Sequence, residues 1–221
     1  GVACRCRGGR VPARRAPARA VPPARAAPPA SPRPLMTTPT AGSPAPLVPP
    51  DERYPLGRWT VPDAAPETRR QLIEQIAAAP AALRAAVAGL DDGQLDTPYR
   101  DGGWTVRQVA HHVADSHMNA YVRFKKALTE DAPPITAYDE ARWAELPDAR
   151  LPVAPSLALL EALHVRWVEV LRALTPEALE TRGYRHPEMG FVPLRTALGI
   201  YAWHGRHHVA HVTGLRARRG W

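Results

Sequence analysis

Cysteine is missing from residues 51–221; the only two, Cys4 and Cys6, lie at the start of the chain. This absence excludes a disulfide framework or a thiolate metal site for most of the protein. Acidic residues are missing from positions 1–50, which carry eight Arg and 13 of the 26 Pro. The remainder holds 21 basic and 21 acidic side chains, so the formal net charge of +8 belongs to the first 50 residues. The rest of the chain therefore carries no charge signal for a nucleic-acid partner. No apolar run approaches the ~20 residues that a membrane span requires, and there is no apolar core of a secretory signal.

Residues 1–50 have too few large apolar groups to offset the entropy of ordering them. They read as a disordered Ala/Pro/Arg-rich tail, loosely similar in composition to a transit peptide. Met36 is the expected true start, with 1–35 the product of an overextended reading frame. Residues 51–221 are long enough for one domain with its own core. A thiol-free domain fits a cytoplasmic protein without a membrane partner.

That domain is patterned for helices. After an extended lead-in (51–65), Leu72, Ile73, Ile76, Leu83, Val87 and Leu90 repeat in steps of three and four, interrupted by Pro80. This predicts one kinked helix or two short ones. Thr105 and Gln108 fit a capping box that opens a second helix, which ends near Glu130. A long proline-bearing connection follows (131–154), of a length often used for a crossover or a site lid. The third helix starts near Pro155 and stops at Thr175-Pro176. Residues 183–191 read as a loop or small hairpin, and a fourth helix runs from about Pro193 to Arg218. Four amphipathic helices predict an all-α four-helix bundle, and the 131–154 link argues against simple up-down order.

Of nine histidines, eight fall on these helices. On the fourth helix His208 lies within the apolar stripe and His204 beside it. His211 and His207 lie progressively further out, which suits a solvated face. Two imidazoles at i,i+4 on an inward face suit a divalent metal ion, the spacing of helical H-x-x-x-H zinc sites. A third ligand must come from another helix: His111, His112 or His117 on the second, or His164 on the third. His117 lies in the second helix's apolar stripe, whereas His111 and His112 both lie away from its centre, so periodicity does not choose between them. His164 is expected to be a packed, hydrogen-bonded core residue. Asp115 is a carboxylate ligand, an imidazole-orienting partner or a weak candidate catalytic base. Glu161, Tyr201 and His117 are further candidates near the site, and Arg100, Arg107 and Arg123 are candidate anchors for an acidic cosubstrate. Trp104 and Trp203 flank the ligand motifs.

The segments LDTPYRDGGWTVRQVAHHVADSHMNAYVRFKKALTE (95–130), YDEARWAELPD (138–148), SLALLEALHVRW (156–167) and YAWHGRHHVAH (201–211) resemble the YfiT type of the DinB-like superfamily. The resemblance runs from about Tyr54 to Trp221. It implies a DinB-like four-helix bundle with a long crossover connection, usually a homodimer. It also implies one divalent ion per subunit, zinc or nickel, on His112, His204 and His208. The expected activity is metal-dependent hydrolysis of a small-molecule substrate by an activated water. The alternatives are S-transfer of a low-molecular-weight (bacillithiol-type) thiol held as thiolate, and a non-enzymatic metal-binding stress protein.

Overall fold

The computed structural model of the chain describes residues 51–221, so the reading of residues 1–50 lies outside the described residues. Four long helices carry the structure: α1 (Pro66–Val87), α3 (Val106–Thr129), α5 (Ala154–Ala173) and α7 (Leu194–Arg219). Between them lie short helices α2 (Asp92–Leu95), α4 (Glu140–Trp143) and α6 (Pro176–Thr181), a 3-10 turn at Pro147–Arg150, and a hairpin of β1 (Gly183–His186) and β2 (Gly190–Pro193). The hairpin is antiparallel, with Tyr184 opposite Val192. α1 continues through Pro80 as one helix rather than two. Thr105 and Gln108 form the expected capping box, each satisfying a backbone N–H that the helix start leaves free.

α1 packs on α5 and α7, and α3 packs on the same two, so helices consecutive among α1, α3 and α5, α7 sit diagonally. Their directions follow from the pairs in contact. Gln75 meets Arg206 and Ala86 meets Arg216, so α1 and α7 run parallel. His111 meets Ser156 while Phe124 meets Trp167, so α3 and α5 also run parallel. Arg123 meets Tyr201 while His112 meets His204, so α3 and α7 are antiparallel. The order is up-down-down-up. Parallel neighbours require the chain to return to the end from which it started, over a helix of roughly 36 Å for 24 residues. The 131–153 connection makes that return, which explains its length.

The core has two parts. One gathers around Phe124, Trp167 and Leu171 toward the hairpin, the other around Leu83, Val109, Leu160 and Val212 toward α2. Between them lies a layer of histidines. Gly205 allows this layer to close: a Cβ there would lie 3.1 Å from Ala79 Cβ and 3.4 Å from His117 Cε1. Arg107, buried at the start of α3, is bound by Asp96 (2.6 Å) and Asp92 (2.8 Å) and donates to the Leu151 carbonyl. It thereby fastens α2 and the crossover to α3, a structural duty that accounts for its burial without a cosubstrate.

Trp167 is fully buried and packs edge-on against Phe124, His117, His164 and Tyr201. Its truncation, Trp167→Ala, removes a large side chain that four rings lean on. A loss of about 3–5 kcal/mol in urea unfolding is expected, with helical content kept below the transition.

Candidate metal centre

His112 projects from α3, and His204 and His208 project from consecutive turns of α7. One ring nitrogen of each lies within 4.8 Å of the other two. The Nε2 atoms of His112 and His204 are 3.2 Å apart. Two nitrogens bound at about 2.0–2.1 Å to one tetrahedral ion would stand about 3.3 Å apart, so the spacing of this pair fits such an ion. Among the described residues no carboxylate joins the cluster. His112 and His208 are buried, and His204 keeps part of its surface open. The Trp104 ring stands 4.5 Å from His112 and 6.3 Å from His208, forming one wall.

Burial sets the protonation of these rings. Desolvation lowers His112 to about 4. His204 and His208 are pushed well below the ordinary histidine value, by burial first and then by neighbouring imidazoles. All three are therefore neutral near pH 7, the state in which a ring nitrogen offers a lone pair to a metal.

Behind the cluster lies a second layer. His117 Nε2 is 3.2 Å from His204 Nδ1, and His117 Nδ1 is 2.8 Å from His164 Nε2. His164 Nδ1 is 2.8 Å from the Ile76 carbonyl oxygen. On the other side His211 Nδ1 is 3.4 Å from His208 Nδ1, and His211 Nε2 is 3.3 Å from the Arg53 carbonyl oxygen. His164 is thus the packed core residue expected of it.

Several readings from periodicity change here. His207 and His211, expected toward solvent, are both buried. Trp203 stacks on His207 at 4.1 Å, Tyr99 stacks on His211 at 4.0 Å, and the lead-in lies over both through Tyr54 and Arg53. A helical wheel carries no information about such a cover. His111 is buried although it lies off the apolar stripe. Its Nδ1 meets Ser156 Oγ (2.7 Å) and its Nε2 meets the Leu151 carbonyl (3.0 Å), so both ring nitrogens are engaged away from the cluster. Asp115 lies toward Asp148 and His111, outside the cluster, with its carboxyl raised chiefly by burial. Glu161 pairs with Arg84 on the outside of the bundle. Arg100 donates to the Asp101 carbonyl and lies over the Tyr99 ring.

Sequence reasoning did not single out the cavity beside the cluster. It has a volume of about 410 Å³ and is lined by Ser116, Arg123, Tyr138, Glu140, His186 and Tyr201, among others. Ser116 lies one turn along α3 from His112, and the Tyr201 ring is 6.0 Å from that of His204. Arg123 donates to the Tyr201 hydroxyl (3.3 Å) and the Thr136 carbonyl. The Tyr138 hydroxyl is buried without a hydrogen-bond partner. Burial raises Tyr138 and Tyr201 above the ordinary phenol value, so both remain hydrogen-bond donors. Arg123 is the one arginine of the three candidates that lines this cavity.

Residues 75–212 match the DinB superfamily model. The chain belongs to the DinB superfamily. A Bacillus cereus (strain 03BB102) protein named "Putative metal-dependent hydrolase" is 55% identical over 174 residues, covering 77% of this chain and 99% of that protein. A Bacillus mycoides (strain KBAB4) protein of the same description is 54% identical over 172 residues, with the same two coverages. The solved structure of YfiT from Bacillus subtilis, described as a probable metal-dependent hydrolase with an unusual four-helix bundle topology, superposes with a TM-score of 0.74 at 48% identity. It covers 77% of this chain and 98% of YfiT. The DinB bundle here has the up-down-down-up order described above.

Acid should destabilise this DinB domain. His164, lowered by burial from 6.5 to about 4, binds a proton less readily in the folded protein than in the unfolded chain. Between those values the unfolded state holds more protons, so stability is complete above about pH 6.5 and falls as pH drops toward 4. One such group corresponds to roughly 3 kcal/mol when fully titrated. The melting temperature of metal-stripped protein is therefore expected to drop by roughly 10 °C between pH 7.5 and 4.5, with a shallower drop in His164→Gln.

Proposed function

We propose that this chain is a metal-dependent hydrolase in which His112, His204 and His208 hold one divalent ion, zinc or nickel, beside a cavity that takes a small polar substrate. The observation that carries this reading is the convergence of three neutral imidazole nitrogens from two antiparallel helices, with no carboxylate or thiolate among them. Three protein donors leave a coordination position for a non-protein ligand, the pattern of catalytic rather than structural zinc sites. Bound there, the ion supplies Lewis acidity, polarising a scissile carbonyl and lowering the pKa of water toward about 7.

The remaining work falls to the chain's own side chains. Arg123 and the phenols of Tyr138 and Tyr201 present a cation and two neutral donors to the cavity, which suits a substrate rich in carbonyl or carboxylate oxygens. Glu140, raised by burial, and Glu188 offer acceptors on the same wall. Trp104 shields the His112 and His208 rings from bulk water. The names given to the relatives support hydrolysis. Transfer of a low-molecular-weight thiol is the competing chemistry for the same open position, and the thiol would have to enter as a cosubstrate because residues 51–221 contain no cysteine. We read the protein as a cytoplasmic homodimer on the family resemblance; no helix of the described residues is long and apolar enough to cross a membrane.

Untagged protein is expected to carry close to one zinc or nickel ion per chain by elemental mass spectrometry. His112→Ala, His204→Ala and His208→Ala should each lose nearly all of it. Wild-type protein that takes up neither metal when supplied with it would overturn the site. Metal without turnover of small esters and amides, with or without an added thiol, would leave a metal-binding protein and no enzyme. For the best substrate found, Arg123→Met should raise KM about tenfold or more while the metal content stays unchanged.

A further inference from the structure

The core of α1 contains an irregularity that reaches the metal centre. In an α-helix the Ile76 carbonyl would accept from the N–H of residue 80, but residue 80 is proline and has none. The freed oxygen is the one that His164 Nδ1 contacts at 2.8 Å. A carbonyl only accepts, so His164 donates from Nδ1 and its bare Nε2 accepts. His117 must then donate from Nδ1 to His164, which leaves its own Nε2 as acceptor for His204 Nδ1–H. His204 is left with a bare Nε2, the atom facing His112 Nε2. One proton per ring satisfies every contact from the Ile76 carbonyl to His204 Nδ1. Moving any proton to the other nitrogen sets two N–H groups, or two lone pairs, against each other. The second arm follows the same rule: the Arg53 carbonyl accepts from His211 Nε2, and His211 Nδ1 accepts from His208 Nδ1, which leaves His208 Nε2 bare.

We propose that two buried histidine relays, Ile76 carbonyl–His164–His117–His204 and Arg53 carbonyl–His211–His208, fix the tautomer and orientation of two of the three metal ligands. His117, His164 and His211 are therefore positioning residues, and Pro80 acts by releasing the carbonyl that starts the longer relay. The Nε2 atoms of His204 and His208 are held bare before an ion arrives, so binding requires neither tautomer exchange nor ring rotation at these two ligands. His112 has no such relay among the described contacts. This inference rests on the proposed metal site, yet the tautomers exist without the ion and can be read separately.

Long-range proton–nitrogen NMR on the full chain, with 15N-labelled histidine and stripped of metal, reads each tautomer directly. His117 and His164 are expected as Nδ1–H forms and His211 as Nε2–H. An Nε2–H form at His117 or His164 would overturn the longer relay whatever the fate of the metal site. Zinc affinity, measured by chelator competition, gives the second readout. His164→Leu, which deprives His117 of its acceptor, should weaken zinc binding roughly 10–100-fold, with partial rescue in His164→Gln. Pro80→Ala separates positioning from packing. It restores a helical N–H that competes for the Ile76 carbonyl, so zinc binding should weaken several-fold while the protein melts no lower than wild type. Unchanged zinc affinity in a folded His164→Leu would overturn the relay. Wild-type protein that binds no zinc would overturn the site while leaving the tautomer result standing.

Discussion

The centre of this protein depends on burying many imidazoles without a counter-charge. Among the described contacts no carboxylate reaches the rings of His112, His117, His164, His204 or His208. A polar ring taken from water must be hydrogen-bonded or pay a large desolvation cost, and a charged one would cost more. The rings therefore stay neutral and satisfy one another, with the outermost protons passed to backbone carbonyls. Those carbonyls must be free to accept. One is released by a proline inside a helix, the other by an irregular lead-in that makes no ladder of its own. The packing of α1 and of residues 51–65 is thus tied to the electronic state of side chains on α7.

The topology serves the same end. Up-down-down-up order makes α3 the antiparallel neighbour of α7, so successive turns of the two helices face each other. It also obliges the chain to travel the length of the bundle between α3 and α5. That return segment is used fully. Leu151 holds His111 and Arg107, the backbone near Thr136 holds Arg123, and Tyr138 lines the cavity beside the cluster. A connection that the helix directions require also builds one wall of the cavity beside the cluster.

Much of this was legible in the residues alone. The steps of three and four, the Thr105 capping box and the Thr175-Pro176 stop marked three of the long helices within a residue or two, because these signals are local and the backbone answers to them directly; α1 ends at Val87, three residues before Leu90, the last apolar residue of its pattern. The short helices were missed: a single turn such as Glu140–Trp143 has too few residues to show a period. The inward pair His204 and His208 also followed from spacing, since two positions on one helix are related by its geometry and by nothing else.

What the sequence could not decide was what lies against each face. Periodicity did not separate His111 from His112, because α3 is covered on nearly every side; only the packed structure sends one ring to Ser156 and Leu151 and the other to the cluster. It placed His207 and His211 toward solvent because the cover over them comes from residues 53, 54 and 99, far away in the chain. It treated Arg100, Arg107 and Arg123 alike, although their partners sort them into a loop contact, a buried clasp and a cavity wall. The sequence by itself determined the helices, their caps and the inward i,i+4 pair, all set by interactions within a few residues. The tertiary structure alone decided which rings meet, which carbonyls receive their protons and where the cavity opens, because each depends on groups brought together by the bundle from distant parts of the chain.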